Sequence, residues 1–287
     1  MSRVAYVNGR FVPKSQAVVH IEDRGYQLAD AVYEVWALFD GKLADPEGHF
    51  ARLERSLSEL SIDMPMSRAA LTMVLKEAVR RNHVREGLVY LQVSRGVARR
   101  DHAFPTTLTA PAVVITVSRV DRAATEARAA GGVGVVTTPE NRWGRCDIKT
   151  VGLLPNALAK QKAREAGAVE AWFVDELGLV TEGASSNAWI LDGDGVLRTR
   201  DTQANILRGV TRLSLMDVAR EAGLKVEERP FTPEEARGAK EAFITGAGSL
   251  VLPVVSIDGK PVGDGSVGPV AMKLRRLYIE RAKATAV

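Results

Sequence analysis

Lys149 is the lysine of this sequence whose surroundings suggest chemistry. It follows Ile148 and precedes the mainly apolar stretch TVGLLPNALA. A lysine held among apolar groups has a lowered pKa, so its neutral amine can act as a nucleophile. The alternative is a solvated lysine that leads into a helix, and for Lys149 taken alone this is the better interpretation.

Two other segments carry groups suited to a charged ligand. Glu182 lies in LVTEGASSN, between two predicted strands, where its carboxylate could hold a cationic ring nitrogen or serve as an ordinary turn residue. The residues RGVT at 208–211 open a predicted helix. The free N–H groups and the dipole of a helix start suit a phosphate, whereas ordinary N-capping is the alternative.

Arginines supply a third group of candidates. The loop over 95–104 contains Arg100 and His102, which could point the same way and clamp a carboxylate, because arginine presents a planar fork. A solvated basic loop is an equally good interpretation. Arg52, on the polar flank of a predicted helix, could reach a phosphate or remain exposed beside Arg55 and Glu59.

The elements that must position these residues alternate in type. In the first half, the spacing predicts a hairpin over 4–12, strands over 30–39, 88–94 and 112–118, and helices over 49–60 and 67–83. Tyr33 and Val35 share one face of their strand. Arg100 and His102 fall in the long loop between the last two strands.

A domain boundary is expected at 119–131, which is rich in charge, alanine and glycine. We predict a smaller N-terminal α/β domain over 1–120, a linker over 121–131 and a larger C-terminal domain over 132–287. The second half predicts strands over 133–138, 171–174, 187–191, 242–245 and 250–257, and helices over 155–166, 208–221 and from 269 onward. This order predicts a mixed α/β (α+β) fold.

Composition excludes several classes of protein. With 46% hydrophobic and 26% charged residues, the 287-residue chain is typical of a globular protein. The 39 basic and 35 acidic residues are interleaved and leave a net charge of +4, which gives little support to nucleic-acid binding. No apolar run approaches the ~18 residues that cross a bilayer, and the start has no signal-peptide core. The single cysteine, Cys146, excludes an internal disulfide. Together with the lack of a long apolar run, this leads us to expect a cytoplasmic protein without a membrane anchor.

Two apparent motifs do not fit their context. GDGSVG at 263–268 matches a dinucleotide-binding fingerprint, but it follows a turn rather than a buried strand, so we interpret it as a loop into the last helix. The four histidines show no metal-ligand spacing, and no metal site is predicted.

Together, a lysine that can form a Schiff base, a carboxylate for a ring nitrogen and a phosphate-binding helix start describe a pyridoxal phosphate site. The sequence resembles the class IV aminotransferases, the fold type IV pyridoxal phosphate enzymes, and most closely the D-amino acid aminotransferases among them. The resemblance is carried by YVNGRFVP, GYQLADAVYEV, HFARLERS, RGVARRDHAFP, CDIKTVGLLPN, VTEGASSNAWI and NILRGVTR. These segments follow the order of the family across nearly the whole chain.

The resemblance implies a role for each candidate. Lys149 forms the Schiff base with the cofactor and moves a proton between the substrate Cα and the cofactor C4′, while Glu182 keeps the pyridine nitrogen protonated. The resemblance further implies that the phosphate is bound by Arg52, Val210 and Thr211, and that Leu207 packs against the ring. It also implies that the substrate side chain is contacted by Tyr33 and Val35. The substrate α-carboxylate, by the same resemblance, is bound by Arg100 and His102. In the family, this carboxylate-binding loop comes from the partner subunit, so the resemblance implies a homodimer with shared sites.

Four positions depart from the family pattern. Ala29 and Ala31 replace the glycines that commonly flank the aspartate before the tyrosine strand. Ala247 stands where relatives often have a phosphate-binding threonine, which removes one hydrogen bond, worth about 1 kcal/mol. Leu250 stands where relatives usually have a glutamate. These changes bear on substrate preference and, at Ala247, on how tightly the phosphate is held, but not on which cofactor is bound.

The resemblance therefore implies a ping-pong transaminase. It takes the amino group of a D-amino acid, of the D-alanine or D-glutamate type, and passes it to a 2-oxo acid such as 2-oxoglutarate or pyruvate. Alternatives are a branched-chain L-amino acid or (R)-amine transaminase of the same fold, and more distantly an aminodeoxychorismate lyase. A cofactor carrier without catalysis is the alternative from another class, and intact Lys149 and Glu182 argue against it.

Overall fold

The computed structural model describes residues 3–203 and 206–287, which form two compact units. The first unit contains the chain up to Asp121 together with Ile148–Gly152 and Thr285–Val287, and the second contains Arg122–Asp147 and Leu153–Ala284. This division differs from the domains expected from the sequence in two ways. Apart from Asp121, the expected linker lies in the second unit, where it forms a helix, and Lys149 belongs to the first unit.

The first unit is built on a six-stranded sheet in the order β2-β1-β6-β5-β3-β4, with every neighbouring pair antiparallel. Its strands are β1 (Val4–Val7), β2 (Arg10–Pro13), β3 (Ala31–Phe39), β4 (Lys42–Leu43), β5 (Gly87–Ser94) and β6 (Ala112–Arg119). The hairpin turns at Asn8 and Gly9, whose φ values of 44° and 92° require residues that tolerate left-handed backbone.

Among the described residues of this unit, the α-helices are α1 (Arg24–Leu28), α2 (Pro46–Glu59) and α3 (Arg68–Asn82). Asp23 caps α1 by accepting from the N–H groups of Gly25 and Tyr26, and Ser67 caps α3 by accepting from Ala70. The core packs the apolar faces of α2 and α3 against the sheet. Its members include Trp36, Leu38, Phe50, Leu53, Leu57, Leu71, Leu75, Val89, Leu91 and Ile115.

The second unit contains a nine-stranded mixed sheet, in the order β12-β11-β10-β13-β14-β7-β8-β9 with β15 paired to β14. Its strands are β7 (Val133–Pro139), β8 (Glu170–Val174), β9 (Val180–Gly183), β10 (Asn187–Leu191), β11 (Leu197–Thr199), β12 (Val226–Glu228), β13 (Glu241–Gly246), β14 (Leu250–Ile257) and β15 (Lys260–Pro261). The pairs β14/β7, β7/β8 and β11/β12 are parallel, and the others are antiparallel.

The helices described in this unit are α4 (Arg122–Gly131), α5 (Leu154–Glu165), α6 (Val210–Glu221), α7 (Pro233–Gly238) and α8 (Pro269–Thr285). GDGSVG at 263–268 lies between β15 and α8, as expected of a loop into the last helix. The buried carboxylate of Glu241 accepts from the N–H groups of Val270 and Ala271 and so caps α8. The predicted α+β fold class is confirmed.

Candidate functional site

Lys149 is held at the edge of β3 by backbone hydrogen bonds. Its carbonyl accepts from the Tyr33 N–H at 3.0 Å, and the Val151 N–H donates to the carbonyl of Ala31 at 3.2 Å. The Lys149 N–H also faces the hydroxyl of Ser56, on α2, at 3.4 Å. These contacts fix the backbone on both sides of the lysine, so its half-buried side chain starts from a defined position.

The amine of Lys149 lies over an aromatic ring. Its Nζ is 4.1 Å from the centroid of Tyr33, which itself stacks on Tyr90 at 5.7 Å. Tyr33 and Val35 are half-buried on one face of β3, whereas Val32 is buried on the other face. Burial, with the neighbouring Tyr33, raises the pKa of Tyr90 to about 12, so this tyrosine stays protonated at neutral pH.

Arg52 lies in a buried ionic cluster in the same unit. Its Nε and Nη2 donate to the two oxygens of Glu34 at 2.7 and 2.8 Å, and His49 Nδ1 lies 2.7 Å from Glu34 Oε2. Burial by itself raises the pKa of Glu34, but the charge and hydrogen bonds of Arg52, with those of His49, lower it to about 2. Burial lowers the pKa of His49 despite its contact with Glu34. The carboxylate therefore stays ionised and fixes the plane of the Arg52 guanidinium.

Arg100 and His102 lie on the exposed loop between β5 and β6, as predicted. The side chain of Arg100, but not that of Lys149, lines a groove of about 1110 Å³ in the first unit, with Tyr6, Met66 and Phe104 among the other lining residues. The loop that the resemblance assigns to the substrate carboxylate is thus exposed and borders this groove.

Glu182 lies on β9 rather than between strands, so the alternative of an ordinary turn residue is wrong. Strand β9 is short, and the neighbouring residues Gly183, Ser185 and Ser186 are typical of a turn. The sequence pattern therefore did not predict that β9 pairs with β8. The Glu182 carboxylate is buried and accepts from Arg142 Nη1 at 2.5 Å, from Asn187 Nδ2 at 3.0 Å and from the Leu207 N–H at 3.1 Å.

Arg142 is a site residue that the sequence analysis missed. Its side chain is 7% exposed and bridges Glu182 to Glu140, whose Oε2 lies 2.5 Å from Arg142 Nη2. Burial alone lowers the pKa of Arg142, but the two carboxylates raise it above its ordinary value. The segment PENRWGRCD carries no local pattern that distinguishes this arginine from Arg145, whose side chain is 47% exposed.

The start of α6 lies beside the same carboxylate. Asn187 donates to both Glu182 and the carbonyl of Leu207, and a Cβ at Gly209 would lie 1.9 Å from Asn187 Oδ1. Gly209 is thus required for this close approach, and it begins α6 without a side-chain cap. Val210 and Thr211 are buried in the first turn. Asn205, the first residue of NILRGVTR, lies outside the described residues.

The candidate residues are divided between the units. The first unit holds Lys149, Tyr33, Val35, Arg52, Arg100 and His102, and the second holds Glu182, Leu207, Val210 and Thr211. The geometry brings Lys149 together with Tyr33, and Glu182 together with Leu207. It also adds Arg142 and Asn187 around Glu182.

The family departures have structural consequences. Ala29 ends α1 in the left-handed conformation, with φ 56°, where glycine is the least strained residue. Leu250 is also left-handed, with φ 57°, and is fully buried at the start of β14. Ala31 is buried at the start of β3, and Ala247 is half-buried in the turn between β13 and β14.

The described residues also bear on metal and membrane binding. Across residues 3–203 and 206–287, no three side chains of histidine, cysteine, aspartate or glutamate come together in a way that could hold a metal ion. Within the same ranges, no helix combines the length and the apolar composition of a membrane span.

Comparisons with known proteins show which proteins this chain resembles. A D-alanine aminotransferase of Bacillus licheniformis is 42% identical over 268 residues, which cover 93% of this chain and 93% of that protein. One from Staphylococcus aureus (strain MSSA476) is 38% identical and covers 96% of this chain and 97% of that protein. A branched-chain amino acid aminotransferase of T.th., solved with pyridoxamine 5′-phosphate, superimposes with a TM-score of 0.88 at 28% identity, covering 98% of this chain and 94% of that one.

A family model described as amino-transferase class IV matches residues 31–257, a range that contains every candidate residue from Tyr33 to Thr211. The chain belongs to the class IV aminotransferases.

Proposed function

We propose that this enzyme is a pyridoxal phosphate-dependent transaminase that moves the amino group of a D-amino acid, of the D-alanine or D-glutamate type, to a 2-oxo acid such as 2-oxoglutarate or pyruvate. The observation that carries the chemistry is Lys149, whose backbone is bonded to β3 and whose amine lies over Tyr33. The D-preference is supported by relatives named D-alanine aminotransferase that match over most of the chain.

The donor groups present fit this cofactor. The start of α6 offers backbone N–H groups and the Thr211 hydroxyl, which suit a phosphate, and Glu182 offers a buried carboxylate for a protonated ring nitrogen. We assign these groups and Arg52 to one cofactor on the strength of the family resemblance. The cofactor supplies an aldehyde that captures amino groups and a ring that withdraws electrons from the substrate Cα.

The protein residues then have separate tasks. Lys149 would hold the cofactor through Nζ, and the same atom would carry the proton that is moved between the substrate Cα and the cofactor C4′. Glu182 would hold the ring proton, and Arg142 and Asn187 keep its carboxylate in place. Leu207 would pack on the ring, while Tyr33 and Val35 would line the space for the substrate side chain.

We further propose that the enzyme works in the cytoplasm as a homodimer, in which Arg100 and His102 bind the substrate α-carboxylate in the partner's site. This carboxylate contact would present the Cα proton of a D-amino acid to Lys149 and misalign that of the L-enantiomer. The exposed position of both side chains supports a role toward a partner or ligand.

A second candidate is a branched-chain L-amino acid or (R)-amine transaminase. It is favoured by the similarity to the branched-chain enzyme solved with pyridoxamine 5′-phosphate. The two candidates differ in the enantiomer that converts the bound cofactor to its amino form.

The deciding experiment mixes the purified holoenzyme with D- and L-amino acids and follows the cofactor absorption spectrum. We expect D-alanine or D-glutamate to change the spectrum well ahead of the L-forms, and borohydride reduction to attach the cofactor to Lys149 in peptide mapping. Faster reaction with L-leucine or with (R)-amines would select the second candidate. Attachment to another lysine would refute the assignment of Lys149.

Subunit sharing is tested by mixing two inactive variants, Lys149→Ala and Arg100→Ala. Each mixed dimer would combine an intact Lys149 of one chain with an intact loop of the other, so one site of its two should recover activity. Refolded Lys149→Ala alone is the control. Proven mixed dimers without recovered activity would contradict the sharing.

A further inference from the structure

A buried ionic cluster lies beneath the loop that carries Arg100 and His102. Asp30 Oδ2 accepts from Arg24 Nε at 2.8 Å and from Arg95 Nε at 2.7 Å, and its Oδ1 accepts from Arg95 Nη2 at 3.0 Å. The side chain of Arg24 is 2% exposed and those of Asp30 and Arg95 are each 9% exposed. Two arginines thus share one buried carboxylate, an arrangement that is costly to break.

The backbone of the same region closes the base of the loop. The Arg24 N–H donates to the carbonyl of Gly96 at 2.9 Å, and Asp23 forms an isolated β-bridge with Val97. Gly96 has φ 101°, and a Cβ there would lie 2.1 Å from the carbonyl oxygen of Ala110. The two ends of the loop therefore meet closely, and α1 begins directly at this junction.

Arg24 reaches from this base to the centre of the loop. Its Nη1 donates to the carbonyl of Asp101 at 2.7 Å. Asp101 stands between Arg100 and His102, and all three residues are exposed. One guanidinium is therefore fixed by Asp30 on one edge and holds the backbone of the Arg100–His102 segment with the other.

Arg95 braces the loop from a second direction. It donates to the carbonyls of Leu60 and Ser61 at 2.7 and 3.0 Å, and its guanidinium lies 3.6 Å from the ring centroid of Phe104. This cation–π contact joins the loop beyond His102 to the same cluster. The loop is thus tied at its start, its centre and its far side to groups that share Asp30.

We propose that Arg24, held by Asp30, is a positioning residue for recognition of the substrate carboxylate, because it fixes the backbone between Arg100 and His102. This inference rests on the proposed function of those two side chains. An exposed loop without such an anchor samples many conformations. In most of them the Arg100 and His102 side chains would not have the relative orientation that a two-point contact with a carboxylate requires. The hydrogen bond from Arg24 Nη1 to the carbonyl of Asp101 does not involve the nearby stretch of β3 that carries Tyr33.

Two substitutions separate positioning from stability. Arg24→Lys keeps a cation beside Asp30 but lacks the fork needed to reach Asp101 as well, and Arg24→Met removes both contacts. The matched control is Asn82→Ala in the same unit. Asn82 is also buried and bonds the backbone of Arg3, Val4 and Ala78, away from the loop.

The holoenzyme variants are compared by steady-state kinetics with D-alanine and by hydrogen exchange of peptides covering 97–104. For Arg24→Lys we expect KM to rise about tenfold, with kcat changed less than about threefold, and faster exchange in 97–104. Arg24→Met should show the same pattern more strongly. Asn82→Ala should lower the melting temperature and leave both KM and loop exchange at the wild-type values.

Exchange in 97–104 at the wild-type rate in both Arg24 variants would overturn the inference, whatever the activity. Faster exchange with an unchanged KM would also overturn it, since the loop would then be ordered by Arg24 without effect on the substrate. If the wild-type enzyme reacts with D-glutamate and not with D-alanine, the kinetic comparison is made with D-glutamate. A wild-type enzyme that reacts with neither D-amino acid would refute the proposed function instead.

Discussion

Replacing Glu34 with glutamine removes one negative charge from the interior of the first unit and leaves the size of the side chain almost unchanged. Glu34 is fully buried and pairs with two nitrogens of Arg52 and with His49. A glutamine amide offers an N–H where Arg52 needs an acceptor, so an uncompensated cation remains. We expect the variant to be less stable and to bind pyridoxal phosphate more weakly.

The magnitude follows from the pKa of Glu34. Burial alone raises this pKa, but Arg52 and His49 lower it from an ordinary value of 4.5 to about 2. At about 1.36 kcal/mol per pH unit, the lowered pKa stabilises the folded protein by about 3 kcal/mol near pH 7. Because the pKa is lower in the folded state, this stabilisation is present above pH 4.5 and is lost as the pH falls toward 2. At pH 3.5, about 2 kcal/mol remains.

The assay is urea unfolding of wild-type and Glu34→Gln protein between pH 7 and 3.5, followed by circular dichroism. The difference in unfolding free energy should be about 3 kcal/mol at pH 7 and should shrink toward pH 3.5. Glu77→Gln is the control. Glu77 also has a pKa of about 2, caused by hydrogen bonds from Arg80 and Arg81, but it lies on the surface, where solvent screens such pairs, so its replacement should change stability far less. A difference that stays constant with pH, or a Glu34→Gln variant as stable as wild type, would refute the reasoning.

Two further predictions concern the second unit and the end of α1. Glu182→Gln removes the anion proposed to hold the ring proton, so kcat should fall at least about a hundredfold while circular dichroism shows a folded protein; a near-normal kcat would exclude this role. Ala29→Gly relieves a left-handed alanine, with φ 56°, and should raise the unfolding free energy by about 0.5–1 kcal/mol in urea titrations. A decrease in stability would show that the loss of backbone entropy outweighs the relieved strain.

Several elements could be predicted because their signals are local. The hairpin at Asn8 and Gly9, the cap at Ser67 and the periodic helix α3 depend on neighbouring residues only. Helix α1 was missed because five residues are too few for an apolar period to show. Helix α7 carries a capping box between Thr232 and Glu235, which is a local signal that the sequence also contains.

The residues of the candidate site also differ in whether a local sequence signal identifies them. Lys149 and Glu182 stand out through their immediate neighbours and the family resemblance. The catalytic role of Lys149 and the cofactor-binding role of Glu182 stay predictions. Arg142 and Arg24 were not selected, because what distinguishes them is burial against partners far along the chain. Arg142 meets Glu182, and Arg24 meets the carbonyl of Asp101. A single sequence shows an arginine but not the carboxylate that will compensate it.

The route of the chain through Ile148–Gly152 has a consequence for synthesis on the ribosome. The chain leaves the first unit after Asp121, builds the start of the second, and returns with Lys149 before leaving again. A nascent chain ending at Asp121 would lack the acceptor for the Tyr33 N–H and the donor for the carbonyl of Ala31. The edge of β3 is therefore completed only after the second unit has begun to emerge, and the two units cannot be produced as separate contiguous fragments without losing this pairing.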